Sequence, residues 1–228
     1  PQAINPSRGY LASWNNRPAR DWWAADANAS YGPNHRNDSL DRRLTDLVDR
    51  GNVTRANVVE AMGDAATVDL RGREMLPSAL DVLEQGALTN EEQTAVDLMR
   101  DWIAGGALRR DRDNDGEYDD AAAVALMDAW YNPMIEQALP QLTALENVNG
   151  GNRMIMGRDN PPGPMGSAYQ SGYFQYLERV FDMALNADPR PYRELECGGP
   201  DGNCRTALRT SLATALDSLG GIGNRANW

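Results

Sequence analysis

The sequence predicts a mainly α-helical chain fronted by one sheet strand, and three observations carry that expectation. From residue 38 onward apolar side chains recur at helical spacing. The composition is Ala-rich, with only 2 Phe and 41% hydrophobic residues, which suits helices packed closely on small side chains. Ahead of the helices, Tyr10, Ala12 and Trp14 alternate with Leu11 and Ser13 in the period of a half-buried strand, until Asn15-Asn16 and Pro18 break it. We divide the chain into a strand-and-loop segment over 1–37 and a helical domain over 38–228.

The first helix is expected from the stripe Leu40, Leu44, Leu47 and Val48, with Asp38 or Ser39 as N-cap and Gly51 as stop. Thr54 opens a second helix through Val58, Val59 and Met62. A third runs from about Asp69 or Pro77 to Gly86, and Asn90-Glu91-Glu92 opens a fourth carrying Val96, Met99, Trp102 and Ile103 up to Gly105-Gly106. From Asp120 an apolar stretch continues through Trp130, Ile135 and Leu142, kinked or divided at Pro133 and Pro140. Residues 150–166 read as loop. Tyr169, Tyr173, Phe174, Leu177 and Phe181 mark a helix over 167–185, and Cys204 to Leu219 the last one. Such stripes are what any packed helix shows, so we read them as core.

The net charge of −11 argues against nucleic acid as a partner. All 22 basic residues are Arg, which removes Schiff-base and lysine-base chemistry from this segment. No run of eighteen apolar residues is present, so no membrane-spanning helix is expected.

Cys197 and Cys204 flank six turn-forming residues, Gly198 to Asn203, that let the two approach within bridging distance. A disulfide is expected, with two unrelated thiols as the alternative. A bridge would suit a periplasmic or extracellular protein. Asp111, Asp113, Asp115, Gly116 and Asp119 match positions 1, 3, 5, 6 and 9 of an EF-hand loop, yet Ala122 stands where the bidentate Glu belongs. The loop over 111–120 is therefore either a Ca2+ site or a solvated acidic turn capping the next helix. No organic cofactor is expected.

The opening Asn5-Pro6-Ser7-Arg8-Gly9-Tyr10, the run Trp14-Asn15-Asn16-Arg17-Pro18 and the later His35-Arg36 resemble the second chain of the penicillin acylase family of N-terminal nucleophile hydrolases. Asp111 to Gly116, Gly166 to Gln170 and the Cys197 and Cys204 region look similar to segments of its secreted bacterial members. The resemblance implies a helical part and one strand of an α+β hydrolase that cleaves a linear amide between an acyl group and an amine, such as a β-lactam side chain, an acyl-homoserine lactone or an acylated peptide. It implies that Asn15 donates to the oxyanion and that Arg36 orients Asn15. Asp26 is matched, with a one-residue shift, to a family calcium ligand.

Such enzymes attack with an N-terminal Ser, Thr or Cys, and Pro1 is none of these. The expectation is a nucleophilic Ser outside this chain, with the α chain and the N-terminal part of the β chain as partners and no activity for this segment by itself. Gly166-Ser167 looks like a maturation site but precedes a helix, so we read Ser167 as an N-cap. His35 lacks the strand-turn-helix Ser of a triad. The competing reading is a non-catalytic secreted helical module with a calcium-stabilised loop.

Overall fold

The computed structural model describes residues 3–19, 35–51, 53–141, 174–186, 196–199 and 202–228. They fall into two compact units, Pro1–Val68 and Asp69–Trp228. The described residues are mostly helical, and no β-strand is assigned among them. Residues 150–166, Tyr169 and Tyr173, to which loop and helix were assigned from sequence, lie outside the described residues.

In the first unit, α1 (His35–Asp49) packs on α2 (Arg55–Thr67). Helix α1 starts ahead of both expected caps, so Asp38 and Ser39 sit inside it. Ser39 is fully buried, and its hydroxyl and carbonyl accept from the Arg43 guanidinium at 2.8 and 3.0 Å instead of capping the helix. Gly51 follows the helix with φ 66°, the left-handed conformation that a helix stop commonly adopts. Thr54 caps α2 as expected, accepting from the Asn57 N–H. The buried face of α2 is not the one the large side chains suggested. Ala61 and Ala65 face inward, whereas Val59 and Met62 are exposed.

The chain ahead of α1 is pinned to it. Arg8 reaches Asp41 at 2.7 Å, and the Tyr10 hydroxyl donates to the Asp41 carbonyl at 3.0 Å and meets the Thr45 hydroxyl. From Tyr10 to Asn15 burial alternates residue by residue, with Tyr10, Ala12 and Trp14 half-buried and Leu11, Ser13 and Asn15 exposed. That is the alternation of an extended segment with one covered face, although no ladder partner pairs with it among the described residues.

The second unit begins with a π-helical turn, Arg71–Met75, running straight into α3 (Leu76–Leu83). The single helix expected between Asp69 or Pro77 and Gly86 is thus two kinds of helix. A Cβ built on Gly72 would lie 2.6 Å from the Trp102 ring, so glycine is what lets the turn lie flat against that indole. Helix α4 (Asn90–Ala104) opens with a capping box in which Thr89 and Glu92 bond reciprocally, as its sequence signature requires. It buries Val96, Met99 and Trp102.

Helix α5 (Ala121–Ala138) is continuous through Pro133 and stops at Leu139, just before Pro140. Only the second proline ends it. Helix α6 (Phe174–Leu185) packs on α3, burying Phe174, Leu177, Val180 and Phe181. Helix α7 (Cys204–Ser218) lies along α5, where the Trp130 indole N–H donates to the buried Ser211 hydroxyl at 2.8 Å. A 3-10 helix, Ile222–Asn227, closes the unit.

Cys197 and Cys204 are bridged. The Cys197 N–H also donates to the Ala138 carbonyl at 2.7 Å, so the bridge ties the end of α5 to the start of α7. A Cβ at Gly202 would fall 1.9 Å from the Cys197 carbonyl oxygen, which admits no other residue there. Reducing this bridge should lower unfolding stability by about 2 to 3 kcal/mol, the value a short loop gives in the chain-entropy account. Denaturant titrations with and without reductant check it; coincident midpoints would show that the loop is held without the bond.

Candidate active site

In the first unit, Asn15 sits at the corner where the extended segment turns. Its φ is 58°, a left-handed conformation that Asn tolerates better than most residues. Asn16 clips the corner from its far side: its Oδ1 accepts from the Trp14 N–H at 3.0 Å and its Nδ2 donates to the Arg17 carbonyl at 3.4 Å. The Asn15 carboxamide is left exposed and outside this clip. A turn formed by Asn15 and Asn16 is the plain reading that the sequence offers beside a catalytic one, and Asn16 takes the turn-forming part.

Arg36 lies in the first turn of α1, with its guanidinium 5.7 Å from the centre of the Trp14 ring. Its Nε is buried and has no hydrogen-bond partner among the described residues, and neither has the buried Oδ1 of Asn37. The structure therefore brings Arg36 to the residue beside Asn15, while no hydrogen bond joins Arg36 to Asn15. Asp26 lies outside the described residues, as do Gly166 and Ser167. Of His35 only its place at the start of α1 is described.

In the second unit, Asp111, Asp113 and Asp115 each offer a carboxylate oxygen, and these atoms lie within 4.8 Å of one another. Backbone N–H groups shape the loop, with Asp115 and Gly116 donating to Asp111 at 3.2 and 3.0 Å. Asp119 stands apart from the three, its carboxylate taken by the Arg112 N–H and guanidinium at 3.0 and 2.7 Å. Those hydrogen bonds hold the Asp119 carboxyl below its usual range. The Asp120 carboxyl is pushed up by desolvation and by the neighbouring Asp119 charge.

Grooves of about 370 and 390 Å³ flank Tyr118 and Trp228 next to this loop; Arg109, Asp111 and Asp128 line the first, Asp113, Asp115 and Asp119 the second. Behind the first lies a buried charge cluster that sequence reasoning missed. Asp69 and Arg71 are both fully buried. The Arg71 Nε donates to Asp69 at 2.9 Å, its Nη2 reaches Asp128 at 2.7 Å, and Arg109 grips Asp128 with two bonds of 2.9 Å. Burial by itself would raise the Asp128 carboxyl. The Arg109 hydrogen bonds and the charges of Arg71 and Arg109 outweigh that and hold it low.

The family model for penicillin amidase matches residues 1–228. The chain belongs to the penicillin amidase family. The whole chain is covered, so both units belong to one penicillin amidase segment. Among solved structures, the thermostable penicillin G acylase from Alcaligenes faecalis in an orthorhombic form is 23% identical, with a TM-score of 0.55. The match covers 96% of this chain and 37% of that one, so the chain spans little more than a third of the acylase it resembles. At this identity the likeness establishes a shared fold. Among the described residues no helix is long and apolar enough to cross a membrane.

Proposed function

We propose that the complete protein is an amidohydrolase in which this chain supplies Asn15 as a donor to the oxyanion and Arg36 as the residue that orients it. The observation that carries this reading is the corner itself, where Asn15 is presented outward while the neighbouring Trp14 carries the Arg36 guanidinium. Attack on an amide carbonyl builds negative charge on oxygen. A carboxamide N–H held ready for that charge stabilises the transition state more than the ground state. Among the described residues the buried Nε of Arg36 has no acceptor, and a buried donor left unmet costs about 1 to 3 kcal/mol. The Asn15 oxygen is the acceptor that would relieve it, and taking that bond would leave the Asn15 N–H pair directed at substrate.

In this reading the attacking group is a Ser on polypeptide outside these 228 residues, and the α chain and the N-terminal part of the β chain are the partners. The substrate is a linear amide joining an acyl group to an amine, with a β-lactam side chain, an acyl-homoserine lactone and an acylated peptide as the candidate classes. Placement in the periplasm or outside the cell agrees with the Cys197–Cys204 bridge. The test is Arg36→Lys in the full-length protein. A point charge cannot reproduce a planar fork of donors, so kcat should fall with KM little changed, and normal turnover would reduce Arg36 to a structural part.

The same reading places Ca2+ at Asp111, Asp113 and Asp115. Three carboxylates within reach of one hard cation fit it chemically, since without a cation they repel one another. Asp119 would contribute only by leaving Arg112. Chelation should lower the unfolding temperature, because an ion bound to the native state stabilises it by mass action. The double variant Asp113→Asn, Asp115→Asn should lose that sensitivity, which separates this loop from any site at Asp26. Equal chelator effects in both proteins would make the loop a plain acidic turn.

A further inference from the structure

Four arginines are stacked on aromatic rings among the described residues: Arg8 on Tyr10, Arg36 on Trp14, Arg71 on Tyr131 and Arg109 on Tyr118. Three of them also commit N–H groups to carboxylates, Arg8 to Asp41, Arg71 to Asp69 and Asp128, and Arg109 to Asp128. Arg36 differs from them. Its guanidinium lies 5.7 Å from the Trp14 ring and makes no ion pair or hydrogen bond among the described residues.

A ring face attracts a cation through its quadrupole and takes none of its N–H donors. A carboxylate in the same place would hold the charge just as well but would occupy two donors in doing so. We propose that Trp14 is a positioning residue of the reaction, holding the Arg36 guanidinium by its indole face so that the N–H fork remains uncommitted for Asn15. This rests on the roles proposed above for Asn15 and Arg36. The arrangement is economical in chain length, because the residue that holds Arg36 is the immediate neighbour of the one Arg36 orients. Asn16 fixes the Trp14 end of that corner through its bond to the Trp14 N–H.

The contact is electrostatic in origin, so it can be weakened without changing shape. Tryptophan carrying one, two and three ring fluorines, incorporated at position 14 of the full-length protein, reduces the quadrupole stepwise while keeping the side chain's packing nearly constant. With an acylated amine as substrate, kcat should fall at each step, by about five- to thirtyfold over the series on the usual strength of such contacts. KM should stay nearly level. In an Arg36→Ala background the series should be flat, because no charge remains to attract. A packing role for Trp14 would give the same slope, or none, in both backgrounds, and that result overturns the proposal.

Asn15→Ala, measured alongside, tells the two levels apart. If it impairs turnover while fluorination does not, Trp14 has no positioning role and the oxyanion assignment stands. If Asn15→Ala leaves turnover intact, the oxyanion assignment fails, and Trp14 loses the role that rests on it.

Discussion

Replacing Asn15 by Ala in the full-length protein is expected to lower kcat by about a hundredfold or more, with little change in substrate binding. The amide N–H lost is one that matters only when charge develops on the carbonyl oxygen, so ground-state affinity has no reason to follow. The corner at Asn15 complicates the experiment, because φ is 58° and a Cβ without a polar group is disfavoured there. Asn15→Gly resolves this. Glycine adopts that conformation freely and still lacks the donor, so its kcat should match that of the Ala variant. Recovery of activity in the Gly variant would mean that backbone geometry, and not a hydrogen bond, is what Asn15 supplies.

The second large effect is expected at Asp69. Its carboxylate is fully buried and receives the Arg71 N–H, Nε and Nη2, with Arg109 at 3.4 Å. Asp69→Asn keeps the volume and removes the charge. Two guanidiniums would then share the single carboxylate of Asp128 in a buried place. Breaking one side of such a pair costs about 3 to 5 kcal/mol, a large part of the 5 to 15 kcal/mol typical of a domain. Urea unfolding should show a lower midpoint with an unchanged slope; a shift as small as that of a surface substitution would show that water or a rearranged Asp128 replaces the lost charge.

The same cluster sets an acid limit. The Asp128 carboxyl is held below its ordinary 3.8 in the folded chain. A lowered folded-state value gives stability that is present above the unfolded value and is lost as pH falls through the folded one. The stability difference between the parent and Asp128→Asn should therefore be full above about pH 4 and shrink in more acid solution.

Helices announced by caps and large apolar residues were legible. Thr54 and the run Asn90-Glu91-Glu92 mark their helix starts in sequence, and in the structure Thr54 caps α2 while Thr89 and Glu92 box the start of α4. The face of α2 was not legible, because its packing is made by Ala61 and Ala65, whose side chains weigh little in any reading of hydrophobic period. Ser39 has the chemistry of a cap, but the helix runs past it and Arg43 uses its oxygens instead. The charge cluster was hidden for a different reason. Asp69 and Arg71 are neighbours in sequence, but Arg109 and Asp128 come from far along the chain, and nothing local in the sequence reports that they meet. Asn15 and Arg36 were named because a family pattern singled them out, whereas the stack of Arg36 on Trp14 needed coordinates.

The indoles also divide between the two units. Trp102 and Trp130 are almost wholly enclosed in the second unit, against Gly72 and Ser211, while Trp14 belongs to the first and is half in solvent. Fluorescence emission is blue for an indole in an apolar enclosure and moves red when water reaches it. Among the described indoles the blue-edge signal therefore reports on the second unit, and its loss during unfolding dates the opening of that core.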